Sequence, residues 1–89
     1  MIYHLELSDA AKKDLKKLDK HDALLLLGWM RKNLDGLENP RIKGKALVGN
    51  LAGAWRYRVG NYRIIARIED DKLVILVVNI GHRREIYMK

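Results

Sequence analysis

At the start of the chain Tyr3, Leu5 and Leu7 alternate with Ile2, His4 and Glu6, a period of two that predicts a strand over residues 2–7 with one buried face. The period then becomes helical. Ser8 or Asp9 supplies an N-cap, Ala11, Leu15 and Leu18 recur at i, i+4 and i+7, and Lys12, Lys13, Lys16 and Lys17 fall outside that stripe. A second helix opens at Asp19 or Asp22 and carries Ala23, Leu27, Met30 and Leu34, widened by Leu26 and Leu37, until Gly36 and Pro40 stop it. Leu24 and Leu25 flank the stripe and are read as core, with a partner's helix as their other use. So little chain separates the two helices that they form an αα-hairpin.

From Asn39 to Ala54 no period is sustained, and Pro40 is joined by Gly44, Gly49 and Gly53. This predicts a long loop carrying Arg41, Lys43 and Lys45. A β-meander follows: Trp55 to Val59, a Gly60-Asn61 hairpin turn, Tyr62 to Ile68, an acidic turn at Glu69-Asp70-Asp71, and Leu73 to Ile80. The apolar run Leu73 to Val78 predicts a strand buried on both faces. Gly81 ends it, and a tail from His82 to Lys89 remains. The order β-α-α-β-β-β describes one α+β domain over residues 1–89, a small antiparallel-rich sheet with the helical hairpin packed on one face. The opposite face is left free for function.

Composition narrows what that face does. Eighty-nine residues allow one modest core, which excludes a multidomain enzyme. The formal charge is +7, and it is unevenly placed: residues 1–40 hold seven basic and seven acidic side chains, residues 41–89 eleven and four. A one-sided excess invites nucleic acid, an acidic protein or an anionic membrane surface. With no cysteine and three scattered histidines, neither a disulfide framework, a thiolate nucleophile nor a zinc cluster is expected, and a reducing cytoplasmic setting fits. No signal peptide or membrane span is expected either.

Strand parity gathers part of the charge. Arg56 and Arg58 share one face of the first meander strand, and a two-residue Gly60-Asn61 turn pairs Val59 with Tyr62 and Arg58 with Arg63. Arg67 shares the Arg63 face, with Ile65 between them. Like charges opposed across a hairpin are destabilising unless an anion or a nearby acid compensates, and no acid is close in sequence. Solvated arginines whose stems cover apolar surface are the plain reading, but guanidinium forks match phosphate oxygens, and the cluster favours an anion site. Lys43, Lys45, Arg67 and Arg84 add further phosphate contacts. His82, Arg83, Arg84 and Tyr87 follow the last strand. His82 is a candidate for proton transfer or an exposed turn residue; Tyr87 stacks on a base, donates a hydrogen bond, or pins the tail with Ile86.

Other chemistries find little support. The glycines fit no phosphate-loop spacing, so no nucleotide cofactor is expected. Ser8, the only serine, reads as a cap, and Asp70-Asp71 as a turn.

The chain resembles RelE-type toxins of the RelE/ParE superfamily from bacterial type II toxin–antitoxin pairs. The resemblance rests on the element order, on Asn39-Pro40-Arg41 before a loop reaching Lys45-Ala46-Leu47, on Trp55 to Ile64, and on Gly81-His82-Arg83-Arg84-Glu85-Ile86-Tyr87. It implies a metal-independent endoribonuclease that in many members enters the ribosomal A site and cuts translated mRNA, and that a small acidic RelB-like antitoxin holds inactive, with no membrane partner. In that chemistry the ribose 2′-OH attacks its own 3′-phosphate, leaving a 2′,3′-cyclic phosphate and a 5′-hydroxyl. The resemblance assigns Arg58 and Arg63 to transition-state stabilisation, Arg56 to substrate positioning, Arg83 to the leaving-group side, and Tyr87 to stacking or proton donation. Some relatives carry lysines where this chain has Arg56 and Arg58, and arginine does not deprotonate. The base therefore stands open between His82, Lys43 or Lys45, and a group of the ribosome. A noncatalytic RNA- or protein-binding module of the same fold, an inactive relic, is the alternative reading.

Overall fold

The computed structural model of the chain describes residues 1–82, so the expectations for Arg83, Arg84 and Tyr87 lie outside the described residues. Strand β1 (His4–Leu7) begins later than the alternation suggested, and Tyr3 ahead of it is already core. Ser8 is the cap of helix α1 (Asp9–Lys17): its Oγ accepts from the Ala11 amide at 3.0 Å and donates to the Val78 carbonyl at 3.2 Å, tying the helix start to the sheet. Asp19 caps helix α2 (Lys20–Asn33) by accepting from the His21 amide.

The expected long loop is not structureless. It contains a two-residue strand β2 (Lys45–Ala46) and a 3-10 turn over Gly49–Leu51. Strands β3 (Trp55–Val59), β4 (Tyr62–Glu69) and β5 (Val74–His82) form the meander. The five strands lie in the order β1-β5-β4-β3-β2, with β1 parallel to β5 and the other pairings antiparallel. Two helices on this mixed sheet make the α+β architecture that the patterning predicts.

The main core lies between helices and sheet. Leu26, Met30 and Leu34 from α2 and its cap meet Tyr57, Ile64, Ala66, Ile75, Val77 and Ile80, and all nine are at most 4% exposed. Leu24 and Leu25 correct the core expectation, because at 61% and 55% exposed they point away from it. The opposite sheet face is less free than its sequence suggests: Ala54 and Ile65 form a second buried cluster with Leu47 and Val78 packed against it. Acids of the first half tie elements together, with Asp14 accepting from the Ile80 amide at 2.9 Å and Asp35 from the Leu5 amide at 3.0 Å.

One irregularity decides where side chains point. The β4–β5 register passes from Ile65 opposite Asn79 to Ala66 opposite Val77, which leaves Val78 as an extra residue on β5. Such a bulge reverses the parity of everything beyond it. Ile75 and Val77 face the helices before it, and Ile80 does so after it.

Candidate functional site

The Gly60-Asn61 turn places glycine first, at φ +57, as a type II′ turn requires. It sets the register of the hairpin, so Val59 faces Tyr62 and Arg58 faces Arg63. Opposed residues of an antiparallel pair project from the same face. The small strand β2 then adds a cation by pairing Lys45 with Arg56, which in turn faces Ile65. Lys45, Arg56, Arg58 and Arg63 thus stand on one face, away from the helices. They differ in setting: Arg58 and Lys45 are exposed, Arg56 is half-buried, and Arg63 is only 7% exposed. Arg63 is therefore a charge held inside the protein, unlike a solvated surface arginine.

Other candidates stand apart from this group. Arg67 keeps the same parity but is exposed two residues beyond Ile65, opposite Leu76, towards the far end of β4. Arg41 is bound elsewhere: its Nη1 and Nη2 each donate to Asp70 at 3.0 Å. The Tyr3 hydroxyl also donates to Asp70. The Arg41 fork, followed by the Tyr3 hydroxyl, holds the Asp70 carboxyl at about 2, below its ordinary 3.8. Asp70 is thus a structural anchor as well as a turn residue.

His82 is not brought to the arginines. Gly81 is the residue opposite Arg63, whereas His82 faces Tyr62, on the helix side of the sheet. Plain alternation from Ile75 and Val77 would have put His82 among the arginines; the extra residue Val78 turns it over. The imidazole meets the Tyr62 ring edge-on with centroids 5.8 Å apart, and the Tyr62 hydroxyl donates to Asp22 at 2.8 Å.

The basic loop is pinned at several points. Tyr57, buried in the core, donates its hydroxyl to the Pro40 carbonyl at 2.7 Å, and burial pushes that hydroxyl up to about 12. Trp55 Nε1 donates to the Lys43 carbonyl at 2.6 Å, and Lys43 Nζ donates to Asn33 Oδ1 at 2.8 Å. Gly44 has φ +78 and packs so closely on β3 that any Cβ would overlap the Arg56 carbonyl oxygen. The result is a cleft of ≈ 260 Å³ at the sheet edge, lined by Trp29 of α2, by Lys43, Gly44 and Lys45 of the loop, and by Arg56, Tyr57 and Arg58 of β3. Trp29 was missed from sequence, where nothing in its position along α2 marks it as part of a site. Among the described residues, no three His, Asp or Glu side chains converge where a metal ion could sit, and no helix is long and apolar enough to cross a membrane.

Comparison with known proteins places this geometry. The family model for the ParE toxin of type II toxin–antitoxin systems matches residues 5–87. The chain is similar to toxin RelG of Mycobacterium tuberculosis, 29% identical over 89 residues, covering 100% of both chains. It is similar to the mRNA interferase toxin RelE of Escherichia coli, 29% identical over 91 residues, covering 98% of this chain and 92% of that one. Its fold superposes on a chain of the toxin–antitoxin complex RelBE2 of Mycobacterium tuberculosis with a TM-score of 0.83 at 28% identity, covering 93% of this chain and 100% of that one. With a family model spanning nearly the whole sequence and RelE-type toxins as its relatives, the chain belongs to the ParE toxin family of type II toxin–antitoxin systems.

Proposed function

We propose that this toxin is an endoribonuclease that cuts mRNA on the ribosome, without a metal, by 2′-OH attack to a 2′,3′-cyclic phosphate and a free 5′-hydroxyl. The observation that carries the reading is Arg58 directly opposite Arg63 on a face that also holds Arg56 and Lys45. Guanidinium forks set side by side match the oxygens of a substrate phosphate in geometry and charge. Arg58 and Arg63 stabilise the charge that grows on the phosphate oxygens, Arg56 positions the strand, and Lys43 and Arg67 contact flanking phosphates. Arg83 serves the leaving 5′ oxygen, Tyr87 stacks or donates a proton, and Arg84 adds a phosphate contact. The name of the Escherichia coli relative, an mRNA interferase, supports the activity, and the RelBE2 complex supports an antitoxin of the RelB kind as the partner that neutralises it.

Because His82 faces Tyr62 on the helix side, the base falls to Lys45, which shares the arginine face, or to a group of the ribosome. The same observation favours one second reading, a module that binds RNA through its arginines without cutting it. A translating extract programmed with a defined mRNA separates the two. Cuts with 5′-hydroxyl ends are expected, and Arg58→Ala should slow them roughly a hundredfold, as loss of one transition-state donor does. Lys45→Arg keeps the charge but cannot deprotonate, so it abolishes cutting if Lys45 is the base. Intact mRNA at toxin excess would leave only the binding module.

A further inference from the structure

The cleft beside the arginines has a lining residue that phosphate chemistry does not use. Trp29, half-buried on α2, lines it together with Lys43, Lys45, Arg56 and Arg58, and among the described residues lining it none is acidic. Helix and loop are tied together: Asn33 Nδ2 donates to the Trp29 carbonyl at 2.9 Å while Asn33 Oδ1 accepts from Lys43 Nζ at 2.8 Å. The Trp55 indole holds the Lys43 carbonyl in the same loop. An opening of ≈ 260 Å³ lined by an indole and by cationic residues has the chemistry that one unpaired nucleotide needs. Its base needs a flat apolar surface and its phosphate needs positive charge.

We propose that this cleft is a nucleotide subsite for single-stranded RNA, in which Trp29 stacks on one base while Lys43 holds the adjoining phosphate. The inference rests on the ribonuclease reading and extends it. It assigns to α2, an element outside the arginine hairpin, the grip on a nucleotide flanking the scissile bond. Stacking tolerates any base because each has a π-face, so the subsite contributes affinity without choosing a sequence.

The test uses the whole protein and a short single-stranded RNA with every ribose 2′-O-methylated, which removes the attacking hydroxyl. Trp29→Leu should weaken binding about tenfold, within the range that loss of one base–aromatic stack produces. Trp29→Phe should stay within about threefold of wild type, since a phenyl ring still stacks. The dependence of affinity on salt separates stacking from a collapsed cleft. Trp29→Leu should leave the slope of log K against log salt unchanged, whereas Lys43→Ala should lower it by about 0.7, one phosphate contact on a single strand. An abasic site moved along the oligonucleotide should, at one position, cost wild type as much as Trp29→Leu does and cost that variant nothing further. Wild-type affinity in both Trp29 variants, or a changed salt slope in Trp29→Leu, overturns the stacking role while cutting by the unaltered protein in the translating extract leaves the ribonuclease reading standing. If the unaltered protein neither binds the oligonucleotide nor cuts mRNA in the extract, the reading beneath the inference falls with it.

Discussion

Replacing Gly44 by alanine should unseat the basic loop while leaving the main core intact. At φ +78 the backbone is in the left-handed region, where a residue with a Cβ pays roughly 1–2 kcal/mol. The new methyl would also overlap the Arg56 carbonyl oxygen and stand 2.8 Å from Trp55 Nε1 and 3.0 Å from Tyr57 Cδ1. Backbone and a core tyrosine cannot yield, so the loop must move instead. Moving it breaks the Trp55–Lys43 hydrogen bond, about 1 kcal/mol, and the short pairing of Lys45 and Ala46 with β3. The expected loss is about 2–3 kcal/mol, and it is capped there, because an undocked loop escapes the clash altogether. Urea unfolding followed by far-UV circular dichroism measures this as a lower midpoint, with a slightly smaller m-value since less surface remains to be exposed. RNA affinity should fall as well, because Lys43 and Lys45 leave the cleft. A Gly44→Ala protein with wild-type stability and an unchanged Trp55 emission spectrum would refute the packing argument.

Further outcomes concern the supports of the site. Because its folded pKa is depressed, Asp70 contributes stability that is present above its ordinary value of 3.8 and is lost as pH falls towards about 2; urea midpoints across that window should drop in wild type and less in Asp70→Asn. Ser8→Ala removes the cap of α1 and its bond to Val78, and should cost about 1–2 kcal/mol in the same assay without altering RNA affinity. Leu24→Lys, at a side chain 61% exposed, should change stability by less than about 0.5 kcal/mol; a larger loss would mean that the residue is packed.

The acids explain how a moderate net charge becomes a strong local one. Asp14, Asp19, Asp22, Asp35 and Asp70 each accept a hydrogen bond that caps a helix or joins two elements. Their charges are spent at fixed points of the scaffold, and none lies on the face that carries Arg56, Arg58 and Arg63. Four of the seven acids of the first forty residues thus serve the architecture, while among the described cations of the second half Lys45, Arg58 and Arg67 are exposed. This division could be anticipated from the counts but not located by them.

What the sequence determined alone was everything governed by short range. Period two and period 3.6 mark the strands and helices, Ser8 and Asp19 offer the caps, and the Gly60-Asn61 turn fixes the partners of the hairpin, so Arg58 opposite Arg63 is legible in the sequence. Only the tertiary structure decided the rest. Strand β2 brings Lys45 beside Arg56 across ten intervening residues, and Asn33 links α2 to the loop that makes Trp29 the wall of a cleft. Asp70 removes Arg41 from the site. The bulge at Val78 sends His82 to the helix side, which no count along the chain reveals. The physical reason is that parity carries over only while the ladder is unbroken. One extra residue, placed by packing between β4 and β5, reverses the facing of every residue beyond it.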